Sequence, residues 1–313
     1  MDEISADEEF SIGIVGLDLF GGALSERLEA ADLGHTVSDM HPQKLQLHVA
    51  ESGMAPASTP TDVAHMCDLI FIAETTDATL REVVFGTTGL IHGLSAGTIL
   101  VDLSDADPSV GTEIAGKLAS RGVIWIDAAI LGSPEDVRSG ASVWLTAGQA
   151  DALQRIAPVL ASVSSRTIRL GGLGSAKLAK ALGAAAEAMA TAVYTEIMLI
   201  ARRAGLDAAG VLDAMPFLAP GAGTAPKAIA SEVLTGRYDS GVPINILQRD
   251  LQTVMQAAVR ASAPAQFLGL VQSACAAARF LPDANGDASD MARWLAQNAG
   301  VEFVPADSEI TDS

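Results

Sequence analysis

Cysteine, aromatic and basic residues are all scarce in this sequence of 313 residues. The two cysteines, Cys67 and Cys275, lie far apart with no CxxC spacing, which argues against a disulfide framework or a zinc site and fits a reducing compartment. Aromatic residues make up only 4%, which is more typical of a helix-rich α/β protein than of a β-sandwich. Basic residues number 19 against 38 acidic ones, and no basic stripe is present to bind nucleic-acid phosphates.

Metal-binding spacings, membrane-spanning runs and leader-like segments are also missing. The five histidines show no HxH or HExxH pattern, so we expect no metal site. The most apolar long segment, 178–201, carries Lys180, Glu187 and Glu196, too many charges for a membrane span. The first ten residues, MDEISADEEF, are acidic and do not resemble a signal peptide. We therefore expect a cytoplasmic protein that binds neither nucleic acid nor a membrane.

Short apolar runs alternate with helical patterns through the first half of the chain. These predicted strands are at residues 11–15, 35–39, 68–73, 98–102, 123–127 and 142–146. After residue 171 only helical patterns follow, at 175–204 with a cap at Gly205, then at 207–215, 225–235, 244–262, 264–280 and 287–298. The pattern predicts an α/β fold in which a Rossmann-type, doubly wound parallel sheet (11–170) precedes an all-α domain (171–300). Acidic tails are predicted at 1–10 and 301–313.

The stretch IGIVGLDLFGGALSERLEAA, residues 12–31, has the form of a nucleotide-binding turn. Gly16 permits a tight turn after the strand, and Gly21 allows close packing of the following helix, whose free N–H groups can hold a diphosphate. Asp39 ends the next strand, where an acid binds the ribose 2′-hydroxyl of NAD. Met40 follows where an NADP enzyme often has arginine. The turn predicts a nicotinamide dinucleotide, NAD or NADP, with NAD slightly favoured.

Asp18 occupies the place of the middle glycine in this turn. Two like charges about 4 Å apart repel by ~4 kcal/mol at an effective dielectric constant near 20. Half of that repulsion would weaken diphosphate binding by ~30-fold. Glu74, at the end of another predicted strand, adds negative charge to the same crevice. Asp18 could turn outward or pair with a cation, or the scaffold could have an unused pocket.

From residue 12 to about 298 the chain resembles the β-hydroxyacid dehydrogenases, with 3-hydroxyisobutyrate dehydrogenase as the nearest type, and the related imine reductases. The segments that carry the resemblance are IGIVGLDLFG, SDMHPQK, ILVDLSDADP, WIDAAILGSPED, LGGLGSAKLAKALG and ILQRDLQTVMQAA. The resemblance implies that Lys180, which follows Gly171 and Gly174 in the family's helix motif, is the catalytic lysine. It would give or take a proton in the cleft between the domains. The alternative interpretation is that Lys180 is a surface lysine without a catalytic role, and Lys177 is taken as the example of such a surface lysine.

The resemblance and the turn together imply a set of cofactor-binding residues: Gly16, Leu17, Asp18, Leu19, Phe20, Gly21, Asp39, Met40, Glu74, Thr75, Ser104, Asp105 and Arg249. Asp105 stands where the family has a cofactor-contacting threonine. Arg249 matches the family's basic residue that reaches the cofactor and could offset Asp18. A solvated ion pair with Asp250 is the alternative interpretation of Arg249.

The implied substrate pocket contains Leu131, Gly132, Ser133, Gly183 and Ala184. Leu131 replaces the family's serine and Ala184 its asparagine, while Ser133 is two residues out of register. These changes predict a substrate less polar than a small 3-hydroxyacid. The run IDAAILGSP is closer to the imine reductases, although those enzymes usually have an acid or a tyrosine at the position of Lys180.

The sequence therefore predicts an NAD(P)-dependent oxidoreductase that acts on a carbonyl or hydroxyl carbon, or on an imine or amine carbon, with Lys180 as proton donor or acceptor. The alternative is a degenerate homologue that serves as a non-catalytic binding or assembly subunit, because Asp18, Leu131 and Ala184 each remove a different part of the family's machinery. A nucleotide sensor is a third possibility. By analogy we expect a homodimer, paired through the helical domain, and a small-molecule substrate.

Overall fold

The computed structural model describes residues 10–52, 54–219, 233 and 235–300. Its strands are β1 (Ile12–Val15), β2 (His35–Ser38), β3 (Ala55–Pro56), β4 (Leu69–Ile72), β5 (Ile99–Asp102), β6 (Ile124–Leu131), β7 (Val143–Ala147) and β8 (Arg166–Arg169). They form one sheet in the order β3-β2-β1-β4-β5-β6-β7-β8. Each of the six predicted strands is confirmed, and β3 and β8 are additions at the two edges.

The sheet is parallel except at one pair. β6 and β7 run antiparallel, with Asp127 opposite Ala147 and Leu131 opposite Val143. The prediction of a wholly parallel sheet is wrong at this point. Only residues 132–142 join the two strands, and their helix is a short one, so β7 returns alongside β6 in the opposite direction instead of crossing over.

Helices flank the strands of the sheet. They are α1 (Leu19–Ala30), α2 (Pro42–Ser52), α3 (Pro60–Met66), α4 (Asp77–Phe85), a 3₁₀ turn (Leu90–His92), α5 (Pro108–Ala119), α6 (Pro134–Ser139), α7 (Ala150–Arg155), α8 (Ala157–Val163) and α9 (Ser175–Arg203). The chain continues with α10 (Ala208–Leu218), α11 (Ile244–Ala261), α12 (Gln266–Ala278) and α13 (Asp290–Asn298). The helix predicted at 225–235 lies almost wholly outside the described residues, as do the acidic tails.

Two hydrophobic cores cover the two faces of the sheet. In β4, Leu69 and Phe71 belong to one core and Ile70 and Ile72 to the other, and all four are fully buried. Alternate side chains of a strand point to opposite faces, so a strand covered on both sides needs an unbroken apolar run. Each such side chain contributes about 1.5–3 kcal/mol through burial. This double cover explains why the central strands were recognisable in the sequence.

The chain divides into two compact units, Met1–Ala185 and Ala186–Ser313. The first unit extends past Gly171 because the start of α9 packs on the sheet, where Ala176 is buried with Ala129 and Leu145. The described part of the second unit is helical, with a small core that includes Ile200, Ala258 and Leu268. The boundary near Gly171 stays a prediction. Among the described helices, none combines the length and apolarity needed to cross a membrane.

Candidate functional site

The turn after β1 depends on its two glycines. Gly16 has φ +96°, and a Cβ at this position would lie 2.5 Å from the carbonyl oxygen of Ala73. A Cβ on Gly21 would lie 1.9 Å from the carbonyl oxygen of Gly16. Neither position accepts a side chain, so the strand and α1 approach each other as closely as a dinucleotide-binding turn requires.

Asp18 occupies the N-cap position of α1 without capping it by its side chain. Its carboxylate instead forms an ion pair with the ammonium of Lys44, in the first turns of α2. The hydrogen bond to Asp18 is the main cause that raises the pKa of Lys44. Lys44 is therefore the cation that compensates Asp18, and sequence reasoning missed it. The side chain of Arg249, the predicted compensating cation, lies outside the described residues.

Asp39 connects the end of β2 to the turn. Its Oδ2 accepts a hydrogen bond from the backbone N–H of Leu17 at 2.9 Å, and its Oδ1 accepts one from the backbone N–H of His41 at 2.7 Å. The side chain is buried, whereas Met40 beside it is exposed. Asp39 thus holds the turn in place, and its predicted contact with a ribose stays a prediction.

Glu74 follows β4 and is half-buried against the turn. Its Oε1 lies 3.1 Å from the point that a Cβ on Gly16 would occupy. Burial raises the pKa of Glu74 to about 7, with Asp39 and Asp18 adding to the shift and Thr79 and Lys44 opposing it. A substantial fraction of Glu74 is therefore uncharged at neutral pH, which lowers the negative charge of the crevice.

Lys180 contacts Asp105 near the turn that follows β1. Its Nζ lies 3.2 Å from Oδ1 of Asp105 and 6.0 Å from the ring centroid of Phe20. Asp105 follows β5, and its backbone N–H donates to the carbonyl oxygen of Glu74 at 3.1 Å. The side chain of Lys180 is 40% exposed, so its ammonium remains accessible to a ligand.

A cavity of about 350 Å³ joins these groups at the carboxyl edge of the sheet. It is lined by Asp18, Leu19, Phe20, Ala73, Glu74, Thr75, Leu103, Asp105, Ile130 and Lys180. This edge is where open α/β sheets bind their ligands. The structure therefore brings the predicted catalytic lysine together with six of the predicted cofactor-binding residues.

The predicted substrate-pocket residues do not line this cavity. Leu131 ends β6 partly exposed, while its neighbour Ile130 faces the cavity. Ser133 caps α6, since its hydroxyl donates to Asp136 Oδ2 at 2.7 Å and accepts the Asp136 N–H at 3.2 Å. Gly183 and Ala184 are exposed on α9. Their role in holding a substrate stays a prediction.

Lys177 is not the surface lysine that the sequence analysis assumed. Its side chain is only 7% exposed, and its Nζ donates to Asp102 Oδ2 at 2.5 Å and to Ser104 Oγ at 2.9 Å. That interpretation is wrong because this face of α9 packs on the end of β5 and on the middle of β6. Ser104, predicted to bind cofactor, is buried with Lys177 and does not line the cavity. Asp102 ends β5 and Asp127 lies opposite it in β6, each after a buried apolar run, and this pair of acids was the signal that a buried cation is needed.

The first unit has the architecture by which NAD(P)-dependent oxidoreductases bind their dinucleotide, and this is the class to which the protein belongs. Residues 11–172, more than half of the chain, match the family described as the NAD binding domain of 6-phosphogluconate dehydrogenase. Residues 174–295 match the family described as NAD-binding of NADP-dependent 3-hydroxyisobutyrate dehydrogenase. The chain belongs to the first of these two families, and the resemblance to the β-hydroxyacid dehydrogenase and imine reductase superfamily is confirmed.

Individual relatives are distant in sequence. L-Threonate dehydrogenase of Cupriavidus necator is 24% identical over 255 residues, which cover 81% of this chain and 85% of that protein. An imine reductase variant from Myxococcus stipitatus, in complex with NAD⁺, has a TM-score of 0.76 at 17% identity and covers 92% of this chain and 100% of that one. A reductive aminase from Aspergillus terreus has a TM-score of 0.67 at 17% identity, over 92% of this chain and 100% of that one. The two structures support the fold alone.

Proposed function

We propose that this protein transfers a hydride between a nicotinamide dinucleotide and a carbonyl/hydroxyl or imine/amine carbon, with Lys180 as proton donor and acceptor. The observation that carries the proposal is the cavity that Lys180 shares with the glycine turn and the ends of β4 and β5. Lys180 gives its proton to the oxygen or nitrogen of the reacting group during reduction and takes it back during oxidation. Asp105, at 3.2 Å, keeps the ammonium at the cavity wall.

The residues of the turn fit a dinucleotide. Gly16 and Gly21 allow the close approach of β1 and α1 that a dinucleotide-binding turn requires, and the first N–H groups of α1 are free to meet a diphosphate. Lys44 compensates the charge of Asp18, and Glu74 is partly protonated. When bound, the nicotinamide supplies or accepts the hydride. Asp39, with no arginine after it, favours NAD over NADP, although one similar structure is named with NAD⁺ and another with an NADPH form.

The cavity favours a substrate less polar than a small 3-hydroxyacid. Its wall is apolar at Leu19, Phe20, Leu103 and Ile130. The acids that line it would repel a substrate carboxylate placed near them, because Lys180 is the one basic side chain among its described lining residues. An apolar ketone or imine suits such a wall better than a hydroxyacid does.

We also propose that the protein is a cytoplasmic homodimer paired through its helical part. The support comes from large apolar side chains that stand exposed there, among them Phe217, Leu218, Val259, Leu270 and Phe280. Exposed apolar surface of this kind suits an association face. Sedimentation would measure the mass of the particle in solution.

Thermal unfolding with and without millimolar NADH or NADPH tests the cofactor part of the proposal. A ligand at 100 times its dissociation constant stabilises the folded protein by ~2.7 kcal/mol, a shift of several degrees in Tm. No shift with either dinucleotide would overturn the proposal.

Lys180→Met tests the catalytic part. We expect the variant to lose turnover of ketone or imine substrates while it keeps the dinucleotide-dependent shift in Tm, because the turn that holds the diphosphate is untouched. Lys117→Met removes an exposed lysine of α5 and serves as the control. Turnover that survives in Lys180→Met would remove Lys180 from the mechanism. A wild-type protein that shows the shift but never turns over would favour the non-catalytic alternative.

A further inference from the structure

A buried lysine, Lys177, lies one helical turn before Lys180 and takes no part in the function proposed above. Its ammonium is enclosed by the carboxylate of Asp102 and the hydroxyl of Ser104. Asp127, opposite Asp102 in the register of β5 and β6, accepts the backbone N–H of Ala176 at 2.9 Å through its Oδ2. Two neighbouring acids, one at the end of β5 and one within β6, thus hold the first turn of α9.

Such a cluster is not explained by stability alone. Burying an ammonium and a carboxylate costs several kcal/mol of hydration, and well-packed apolar residues of the same volume are often as stable or more stable. Asp127 Oδ1 is buried without a hydrogen-bond partner among the described residues, and burial raises the pKa of this carboxyl. An ion pair, however, fixes distance and direction in a way that a methylene contact does not. The cluster therefore fixes the position of the start of α9 on the sheet.

The placement bears directly on Lys180. Lys177 and Lys180 are three residues apart on α9, and of their partners Asp102 is the last residue of β5 and Asp105 follows it by three residues. The Lys177–Asp102 pair is buried, with an N–O distance of 2.5 Å, while the Lys180–Asp105 pair is exposed, with an N–O distance of 3.2 Å. The Lys177–Asp102 pair consequently sets the distance between α9 and the end of β5. The Lys180–Asp105 pair forms at the distance that the buried pair has set. Neither Lys177 nor Asp102 lines the cavity, so neither can touch a ligand there.

We propose that Lys177 is a positioning residue for Lys180: through Asp102 and Ser104 it fixes the start of α9 on the sheet edge and so holds the Lys180 ammonium at the cavity. This inference rests on the proposed role of Lys180. A misplacement of about 1 Å at a catalytic group can reduce turnover by about 100-fold.

The double variant Asp102→Asn with Lys177→Met removes both members of the buried pair together, while Asp127 keeps the hydrogen bond from the backbone N–H of Ala176. We expect it to fold and to keep the dinucleotide-dependent shift in Tm. Its kcat should fall by about 10- to 100-fold with KM changed less, and the pH profile of kcat should move. The matched control, Glu113→Gln with Lys117→Met, removes an exposed pair on α5. It should leave the dinucleotide-dependent shift in Tm, the kcat and the pH profile of kcat unchanged. A kcat within twofold of wild type would overturn the proposal.

A second measurement does not depend on activity. The chain has five lysines, Lys44, Lys117, Lys177, Lys180 and Lys227, so [¹³Cε]lysine labelling gives a resolvable NMR spectrum in which Lys180→Arg assigns one signal. Positioning predicts that the chemical shift of Lys180 changes in the double variant and, to a smaller degree, in Ser104→Ala, which keeps every charge. An unchanged Lys180 signal in both variants would refute the proposal. A changed signal in a protein without turnover would support the positioning and reject the proposed function.

Discussion

Glu74→Gln is expected to remove a pH dependence of stability that the wild-type protein has near neutrality. The folded-state pKa of Glu74 is about 7, above its ordinary value of 4.5, because burial disfavours the carboxylate. The stability it contributes is fully present below pH 4.5 and is lost as the pH rises through 7. The difference between the two pKa values corresponds to at most ~3.4 kcal/mol at 1.36 kcal/mol per pKa unit. Glu74 is only half-buried, so solvent screening reduces this to about 1–2 kcal/mol.

The assay is thermal unfolding of both proteins at constant ionic strength between pH 5 and 8.5. For a chain of this size ~1 kcal/mol corresponds to about 2–4 °C in Tm. We expect the Tm of the wild type to fall by a few degrees more than that of Glu74→Gln across this range. Glu113→Gln is the control, because the hydrogen bonds from Lys117 and Arg81 lower the pKa of Glu113 and take its titration out of this range.

Dinucleotide binding gives the same test a second readout. Because a charged Glu74 opposes a nearby diphosphate, the dissociation constant for NADH should rise as the pH passes 7 in the wild type and stay level in Glu74→Gln. Fluorescence titration at pH 6 and pH 8 measures both constants. Parallel Tm curves and equal pH dependence of binding in the two proteins would refute the burial argument for Glu74.

Two further expectations concern the turn and α6. Lys44→Met leaves Asp18 uncompensated and should weaken NADH binding by about 10- to 30-fold, and adding Asp18→Gly should restore it; wild-type affinity in Lys44→Met would contradict the role of this pair. Ser133→Ala removes the capping box of α6 and should destabilise the protein by about 1 kcal/mol in chemical denaturation, more than Ser139→Ala on the same helix. Equal effects of the two serine variants would show that the cap is unimportant.

How much of the fold the sequence reveals depends on burial. The central strands are doubly covered and carry unbroken apolar runs, so their pattern was sufficient to predict them. β3 has only two residues and includes Pro56, and β8 reads Arg-Thr-Ile-Arg at an exposed edge, so neither carries a recognisable strand pattern. The reversal at β7 was also missed, because the pattern of a strand does not encode its direction.

The site was predictable where chemistry depends on local sequence and not where it depends on tertiary contacts. Gly16 and Gly21 are constrained by their own turn, and both were identified. Lys44 reaches Asp18 across 26 residues, a contact that no local pattern encodes. Lys177 and Lys180 look alike in the sequence, and only the packing of α9 on the sheet decides which of them is buried.

Asp39 illustrates how one carboxylate can have a structural role and a predicted role in ligand binding. Since its oxygens already accept the N–H groups of Leu17 and His41, a replacement intended to change the choice between phosphorylated and unphosphorylated dinucleotides would also release the glycine turn. Engineers who wish to alter that choice should leave Asp39 unchanged and substitute its neighbour Met40, whose side chain is exposed.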